Sequence, residues 1–119
     1  MNAVVSTITQ LLPAEIITTD PEQITLYSQD VFTVGPPICA VVHPRNIDEV
    51  QALVRACLER GTPIVTRGGG MSYTSGYIAS APDSVLIDMA SMDAIVEVNL
   101  EDRYVTVEAG CSWQKLHEH

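Results

Sequence analysis

Apolar residues recur at helical spacing in two short segments near the start of the chain. Asn2 is a suitable N-cap for a first helix that runs to about Leu12, where a proline ends the pattern. A second helix is predicted to begin after Asp20, because this residue can cap it and Pro21 takes the first helical position. Residues 1–38 are therefore predicted to form an N-terminal helical segment.

The middle of the chain has the pattern of a strand, a helix and a second strand. The runs CAVVHP (residues 39–44) and PIVT (residues 63–66) are the two predicted strands. Asn46 and Glu49 have the spacing of a capping box for the helix between them, which ends near Gly61. Its predicted core face carries Ile47, Val50, Leu53, Val54, Cys57 and Leu58. Strand, helix and strand in this length predict a βαβ unit with parallel strands.

The last third of the chain has the alternating pattern of β-structure. SVLIDM (residues 84–89) predicts one strand, and AIVEVNLEDRYVTVEAG (residues 94–110) predicts a β-hairpin with its turn at 99–102. Ser112 is placed to cap a short last helix that no strand follows, so the sequence is expected to be part of a larger architecture. The predicted fold class is α+β, a small parallel βαβ layer with flanking helices followed by a β-hairpin.

The charge and cysteine content narrow the range of partners. Fifteen acidic and six basic residues give a net charge of −9, which repels nucleic-acid backbones and anionic lipid, so we expect neither nucleic acid nor a membrane as a partner. Three cysteines without a C-x-x-C pair disfavour a disulfide scaffold and a zinc site. The first residues lack the basic region and the apolar length of a signal peptide. A cytoplasmic location is therefore expected.

The glycine-rich stretch RGGGMSYTSGY, residues 67–77, carries the candidate chemistry. Glycine loses more backbone entropy on folding than any other residue, so three in a row indicate a tight turn or the close approach of a ligand such as a phosphate. The nucleotide-binding P-loop is excluded, because it requires a lysine that this stretch lacks. The dinucleotide fingerprint G-x-G-x-x-G is half present: Gly68 and Gly70 fit, but Tyr73 replaces its third glycine.

The residues around the glycines weigh against that fingerprint and favour an anion-binding loop. Asp88 has the spacing of the ribose-binding acid, but Pro82 interrupts the segment in which the helix of the fingerprint would lie. In an anion-binding loop, consecutive backbone N–H groups converge on a pyrophosphate without a helix behind them. Residues 68–72 can supply these groups, and Arg67 can add a guanidinium. Further donors are the hydroxyls of Ser72, Tyr73, Thr74 and Ser75.

Together these segments resemble the FAD-linked oxidases, the vanillyl-alcohol oxidase and p-cresol methylhydroxylase family, which also includes D-lactate and glycolate dehydrogenase subunits. The resemblance runs from Cys39 to His119 and rests on three motifs: the arginine–glycine loop after a P-I-V strand, the LIDM strand, and V-x-V-E-A-G before a helix. It implies that residues 39–119 are the N-terminal part of a p-cresol methylhydroxylase-type FAD-binding domain, its first subdomain, truncated at the C-terminus.

The resemblance implies that the glycine-rich stretch is the pyrophosphate loop of an FAD site. The cofactor-binding residues that it implies are Arg67, Gly68, Gly69, Gly70, Met71, Ser72, Tyr73 and Gly76. Met71 stands where some members of the family have a histidine bonded covalently to the flavin, so FAD is expected to be non-covalent. Ser75 and Tyr77 depart from the family pattern, which has a glycine and a small residue at these positions.

The function that the resemblance implies is that of an FAD-dependent oxidoreductase. In its complete form it would oxidise a small hydroxy acid or alcohol by passing a hydride to the flavin. The second FAD subdomain and the substrate domain lie outside this sequence, so the chain alone is expected to be inactive, with no predicted catalytic residue. One alternative is a non-catalytic domain that acts through a partner chain, or self-associates through an exposed face of the hairpin. Another is a nicotinamide-dinucleotide-binding fold, which requires a helix directly after the glycines.

Overall fold

A four-stranded sheet lies at the centre of the fold in the computed structural model, which describes residues 2–119. Its strands are β1 (Ile17–Thr18), β2 (Ala40–Val42), β3 (Ile64–Arg67) and β4 (Val85–Asp88), in the order β1-β2-β4-β3. β2 and β3 each pair in parallel with β4, and β1 pairs antiparallel with β2. β2 and β4 are buried on both faces, as their apolar sequences predict.

Within the described residues, four α-helices accompany the strands: α1 (Ala3–Leu11), α2 (Pro21–Tyr27), α3 (Ile47–Glu59) and α4 (Trp113–Glu118). Each begins at a predicted N-cap, whose side chain accepts a hydrogen bond from a backbone N–H of the first turn. The capping residues are Asn2, Asp20, Asn46 and Ser112. None of the helices in this part of the chain is long and apolar enough to cross a membrane.

Both faces of the sheet are covered, because side chains alternate along each strand. One face packs with α1 and α3 in the larger core cluster, to which the sheet contributes Ala40, Val42, Val85 and Ile87. The intervening residues Val41 and Leu86 face the other way and belong to a smaller cluster, against which Ile24 and Tyr27 of α2 pack. The sheet is therefore the middle layer of the fold, with α2 on the side opposite α1 and α3.

The predicted βαβ unit is confirmed, and the structure adds two features that the sequence pattern does not predict. β4 lies between β2 and β3, so the two strands of the unit pair with β4 rather than with each other. The edge strand β1 has only two residues, and so short an element has no recognisable alternation of polar and apolar positions. Both features depend on pairing between segments that are distant in sequence.

The core face of α3 differs from the predicted one. Leu53 and Cys57 are buried as predicted, whereas Ile47 and Leu58 are 69% and 78% exposed, and Ala56 is buried instead. Apolar residues cover a wide arc of this helix, so the pattern alone leaves its rotation about its own axis open. Packing against α1 and the sheet selects the side that carries the small Ala56 side chain.

The predicted hairpin is confirmed as β5 (Ile95–Asn99) and β6 (Tyr104–Val107), which pair antiparallel. Its turn is held by the side-chain oxygen of Asn99, which accepts a hydrogen bond from the backbone N–H of Asp102 at 2.8 Å. Neither strand belongs to the central sheet, and none of their side chains is buried. The hairpin therefore stands apart from the core.

Candidate functional site

The glycine-rich loop leaves β3 at the carboxyl end of the parallel strands. β3 ends at Arg67, and residues 68–84 then form a loop without a helix or strand before β4 begins. In sheets of parallel strands this edge is the usual position of a ligand site, because the loops that leave the strands converge there. The lack of a helix in residues 68–84 contradicts the nicotinamide-dinucleotide alternative, whose fingerprint needs a helix directly after the glycines.

The loop forms part of the wall of a cleft of about 610 Å³. Six of the predicted site residues line this cleft: Gly68, Gly69, Gly70, Met71, Ser72 and Gly76. Cys111, Ser112 and Trp113, around the start of α4, line it as well. A cleft of this volume is large enough to hold a small ligand or part of a cofactor.

Sequence reasoning does not predict the contribution of residues 111–113 to the cleft. They follow the hairpin, and Cys111 lies 35 positions after Gly76 in the chain. The local signal at this point is the cap of α4, which indicates the start of a helix and not a ligand site. Trp113 is 85% exposed beside the cleft and belongs to neither core cluster.

The backbone of the loop presents hydrogen-bond donors that the chain itself does not use. The N–H groups of residues 69–73 donate to no acceptor within residues 2–119. This row of five consecutive N–H groups lies on exposed or half-exposed backbone, so it is open to a ligand in the adjacent cleft. Such a row can bind an anion.

Ser72 holds the far end of the loop in shape. Its Oγ accepts hydrogen bonds from the backbone N–H groups of Thr74 and Gly76, at 3.3 Å and 3.1 Å. A Cβ atom at Gly76 would lie 2.9 Å from the same oxygen, which explains the glycine at this position. The Ser72 hydroxyl oxygen is therefore engaged within the loop.

Gly70 and Tyr77 fix the turn in the middle of the loop. Gly70 has a φ of +71°, in the left-handed region that favours glycine. Its carbonyl oxygen accepts a hydrogen bond from the Tyr77 hydroxyl at 3.0 Å, and Tyr77 is buried. The tyrosine that stands where the family pattern has a small residue is thus an anchor of the loop.

Arg67 is a predicted site residue whose side chain does not line the cleft. It points to the other side of β3 from its neighbour Thr66, which does line the cleft, because side chains alternate along a strand. Its guanidinium lies between the rings of Tyr27 and Tyr77, with its central carbon 4.8 Å and 4.9 Å from the two ring centroids. The positive charge therefore lies behind the loop rather than in the cleft.

Tyr73 is the other predicted site residue outside the cleft lining. It is 61% exposed, and its ring centroid is 5.9 Å from that of Phe32, in the loop after α2. The Tyr73 side chain therefore points toward the N-terminal segment, while the Tyr73 backbone N–H belongs to the unpaired row.

Asp88, which has the spacing of a ribose-binding acid, has a structural role. Its buried carboxylate accepts hydrogen bonds from the Tyr27 hydroxyl at 2.9 Å and from the backbone N–H of Ala90 at 3.0 Å. Burial of Tyr27, together with this bond to Asp88, raises the pKa of the Tyr27 hydroxyl, which stays protonated as the donor. His43 Nδ1 lies 3.6 Å from the same carboxylate. Within residues 2–119, no group of three His, Cys, Asp or Glu side chains could hold a metal ion.

Comparison with protein families identifies the family of this chain. Residues 38–119 match the family described as FAD binding domain. This chain belongs to that family. The family resemblance inferred from the glycine loop and the LIDM strand is confirmed, and so is FAD as the cofactor of the family. Non-covalent attachment of FAD stays a prediction.

Curated relatives extend over much larger proteins. This chain is similar to mitochondrial D-lactate dehydrogenase (cytochrome) of Arabidopsis thaliana, with 37% identity over 79 residues, and to that of Kluyveromyces lactis, with 31% over 81 residues. Each alignment covers 66% of this chain and 14% of the relative. D-2-hydroxyglutarate dehydrogenase of Xanthomonas citri is 29% identical over 111 residues, which are 91% of this chain and 23% of the relative. The chain thus spans less than a quarter of these relatives.

Solved structures confirm the fold class. Substrate-bound p-cresol methylhydroxylase superposes with a TM-score of 0.80 at 25% identity, over 97% of this chain and 23% of that one. The 4-ethylphenol oxidase of Gulosibacter chungangensis superposes with a TM-score of 0.83 at 23% identity, over the same shares of the two chains. The fold is therefore that of the first part of a p-cresol methylhydroxylase-type FAD-binding domain.

Proposed function

We propose that the glycine loop binds the pyrophosphate of FAD, with the backbone N–H groups of residues 68–73 as its ligands. The observation that carries this proposal is the row of unpaired N–H groups in residues 69–73 beside the cleft. Successive backbone N–H groups in a turn can form a concave site for an anion even where no charged side chain enters it, and Gly70, with its positive φ, makes a turn in the middle of this row. The pyrophosphate is the anionic group of the cofactor that this family binds.

Gly69 supports the same function, because nothing within the described chain explains a glycine there. A Cβ atom at Gly69 would meet no atom within 4 Å, and its φ is outside the left-handed region. By contrast, a positive φ explains Gly70, and a contact with a serine hydroxyl explains Gly76. A glycine without an internal reason, on the wall of a cleft, indicates that the adjacent space is kept free for a ligand.

Arg67 contributes positive charge from behind the loop in this proposal. A Cβ atom at Gly70 would lie 2.5 Å from a guanidinium nitrogen of Arg67, so the charge lies against the loop backbone. No carboxylate within residues 2–119 forms an ion pair with it. In a chain of net charge −9, a local cation offsets the repulsion that an anionic cofactor would otherwise meet.

Met71 accounts for non-covalent attachment in this proposal. It lines the cleft at the position of the histidine that bonds to the flavin in some members of the family, and a thioether cannot form that bond. FAD, when bound, supplies the ability to accept a hydride. The residues that line the cleft include no Asp, Glu or His, and we expect this part of the protein to bind the cofactor rather than to supply the acid–base groups of the reaction.

For the complete protein we infer an oxidoreductase that acts on a small hydroxy acid or alcohol. The names of the relatives support this substrate class: D-lactate dehydrogenase, D-2-hydroxyglutarate dehydrogenase and a glycolate oxidase subunit of Bacillus subtilis. Because this chain corresponds to less than a quarter of each, we expect the substrate-binding and catalytic groups to lie in other parts of the protein. The chain alone is therefore expected to bind FAD without turning over a substrate.

The test of the pyrophosphate site is a titration of the chain with FAD, followed by flavin fluorescence and by the amide shifts of residues 68–73. Gly69→Val is expected to weaken FAD binding by about tenfold or more, because its side chain would occupy the cleft without straining the fold. Ser80→Val is the matched control, since Ser80 is an exposed residue of the same loop that does not line the cleft. Unchanged affinity of Gly69→Val, or amide shifts confined to other residues, would contradict the proposal.

We further propose that one face of the hairpin is a contact surface for the rest of the protein or for a partner chain. Val98 pairs with Val105 across the strands, and Val107 lies on the same side, so the three form an apolar face that is 38–42% exposed at each residue. Trp113 and Leu116 of α4 line a shallow pocket together with this face. The opposite face of the hairpin carries polar pairs, which are Glu97 with Thr106 and Asn99 with Tyr104.

A further inference from the structure

A stack of three side chains supports the glycine loop from behind. The central guanidinium carbon of Arg67 lies 4.8 Å from the centroid of the Tyr27 ring and 4.9 Å from that of Tyr77. A cation within about 6 Å of a ring centroid, over the face of the ring, is attracted by its electron density. The two tyrosines therefore hold the Arg67 guanidinium by the same kind of contact.

Both tyrosines of the stack are anchored through their hydroxyl groups. The Tyr77 hydroxyl donates to the carbonyl oxygen of Gly70 at 3.0 Å. The Tyr27 hydroxyl donates to one oxygen of Asp88 at 2.9 Å, while the other oxygen of Asp88 accepts from the backbone N–H of Ala90 at 3.0 Å. The rings cannot turn away from Arg67 without breaking these bonds.

The stack joins the glycine loop to a segment outside the family match. Arg67 and Tyr77 lie within residues 38–119, which match the family, whereas Tyr27 is the last residue of α2 and precedes them. The N-terminal helical segment therefore contributes one of the two rings that hold the cation. Sequence patterns within the family domain do not reveal this contribution.

We propose that Tyr27 is a positioning residue of the pyrophosphate site. It holds the Arg67 guanidinium against Gly70, so that the positive charge and the loop backbone are in place before an anion binds. This inference rests on the function proposed above for the loop. Arg67 has no hydrogen-bond acceptor within residues 2–119, so Tyr77 alone would restrain its long side chain if the Tyr27 ring were removed. A charge that is already ordered loses less entropy on binding than a mobile one.

Three variants separate the ring of Tyr27 from its hydroxyl and from the general loss of a tyrosine. Tyr27→Leu removes the ring, and Tyr27→Phe removes the hydroxyl alone. Tyr104→Leu is the matched control, because the Tyr104 hydroxyl also donates to a carboxylate, that of Glu97 at 3.1 Å, while its ring does not contact Arg67. Urea-induced unfolding of each variant establishes that affinities are compared between folded chains.

The first measurement uses the chain without ligand and records the NMR signals of the Arg67 side chain. In the unaltered chain the δ protons of Arg67 are expected to be shifted upfield by the two rings. Tyr27→Leu is expected to lose the contribution of one ring, whereas Tyr27→Phe and Tyr104→Leu retain both. Unchanged Arg67 shifts in Tyr27→Leu would overturn the inference that Tyr27 positions this side chain.

The second measurement compares the affinities for ADP, which contains the pyrophosphate, and for adenosine, which does not. Tyr27→Leu is expected to weaken ADP binding by about tenfold, and Tyr27→Phe by less than about threefold, since the phenylalanine ring still holds the cation. Adenosine binding is expected to be the same in all variants. This difference between the two ligands, and the rescue by phenylalanine, would not arise from a purely structural role.

Several results would overturn the inference. The inference would be overturned if Tyr27→Leu bound ADP as tightly as the unaltered chain does. It would also be overturned if Tyr27→Leu lost as much affinity for adenosine as for ADP, or if Tyr104→Leu lost as much affinity for ADP as Tyr27→Leu. If the unaltered chain bound no ADP while its Arg67 signals were shifted upfield, the proposed function of the loop would be wrong, and the role of Tyr27 in that function with it. If only the proposed role of Tyr27 were wrong, the unaltered chain would bind ADP, and its affinity for ADP would be the same with and without the Tyr27 ring.

Discussion

The glycines of this chain serve different physical purposes, which the atoms around each one distinguish. Gly70 has a positive φ, and Gly76 lies against a serine hydroxyl. At Gly110 the backbone of the turn at Met89–Met92 occupies the space that a side chain would need. Gly69 has none of these reasons. Glycines that the fold explains are structural positions, and Gly69 is the stronger candidate for ligand contact.

Replacement of Gly110 tests whether the fold itself requires a glycine where the surrounding backbone leaves no space for a side chain. A Cβ atom there would overlap the carbonyl oxygen of Met89 and lie 2.8 Å from that of Met92. Because backbone atoms cannot move aside as a flexible side chain can, Gly110→Ala is expected to lower the free energy of unfolding by about 1–3 kcal/mol. Urea-induced unfolding followed by circular dichroism measures this change. Gly69→Ala is the matched control and should change stability by less than about 0.5 kcal/mol, so equal losses in both variants would contradict the argument.

Among the elements, the start of α3 shows how far a local pattern determines structure. The side chain of Asn46 accepts a hydrogen bond from the Glu49 N–H at 2.9 Å, as the capping box predicts. The Glu49 carboxylate accepts from the backbone N–H of Arg45 at 3.2 Å and forms an ion pair with the Arg45 guanidinium at 2.9 Å. In a capping box the Glu side chain normally accepts from the backbone N–H of the N-cap residue, which here is Asn46. Glu49 accepts instead from the residue before the N-cap, so Arg45 becomes part of the cap.

This cap makes the stability of the chain depend on pH. The hydrogen bond from the Arg45 side chain holds the pKa of the Glu49 carboxyl below its usual value, so the ionised form stabilises the fold. That contribution is fully present above about pH 4.3, the pKa in an unfolded chain, and is lost as the pH falls through the lower pKa of the folded state. Glu49→Gln is expected to lower the free energy of unfolding at pH 7 by less than about 1 kcal/mol, because solvent screens the half-exposed partner Arg45.

Urea unfolding of Glu49→Gln and of the unaltered chain at pH 7 and pH 3 provides the measurement. The difference between the two proteins should be smaller at the lower pH, because the contribution of the ionised Glu49 carboxylate decreases below the pKa of the unfolded chain. Asp48→Asn is the control, since Asp48 is an exposed carboxylate in the same first turn without an ion pair to Arg45. A difference that stayed constant with pH would show that the carboxylate charge of Glu49 has no part in the cap.

The whole molecule is more extended than a compact domain of its length. Its radius of gyration is 15.3 Å, compared with about 13.5 Å expected for a compact chain of 119 residues. Its principal dimensions are 51 × 33 × 22 Å. The hairpin and α4 contribute no buried side chain, and a two-stranded hairpin is at best marginally stable in water. This end of the molecule would gain stability from a surface that covers its apolar face.

Self-association of the isolated chain tests the proposed contact face. The apolar face of Val98, Val105 and Val107 is expected to pair with that of a second chain, so the sedimentation coefficient should rise with protein concentration. Val98→Asp places a charge in this face and should shift the association to about tenfold higher concentration or abolish it. Thr106→Asp, on the polar face of the same strand pair, is the matched control. A chain that sediments as a monomer at all concentrations, or equal effects of both variants, would count against self-association through this face.

Much of the fold and part of the site can be predicted from the sequence. The N-caps, the βαβ order and the hairpin turn are confirmed, since each depends on residues within a few positions of one another. Six of the predicted site residues line the cleft, because the loop begins at the carboxyl end of β3, which is the edge of a parallel sheet at which ligand sites usually lie. The prediction failed for the core face of α3, where the wide apolar arc permits more than one rotation.

The sequence by itself therefore determined the local elements, the glycine loop and the family, because caps, turns and glycines act over short distances along the chain. Only the tertiary structure decided that β4 lies between β2 and β3, and that residues 111–113 line the cleft. It also decided that Arg67 turns away from the cleft and lies between Tyr27 and Tyr77. These features depend on contacts between residues that are far apart in the chain, and the pattern around each residue carries no information about its distant partner.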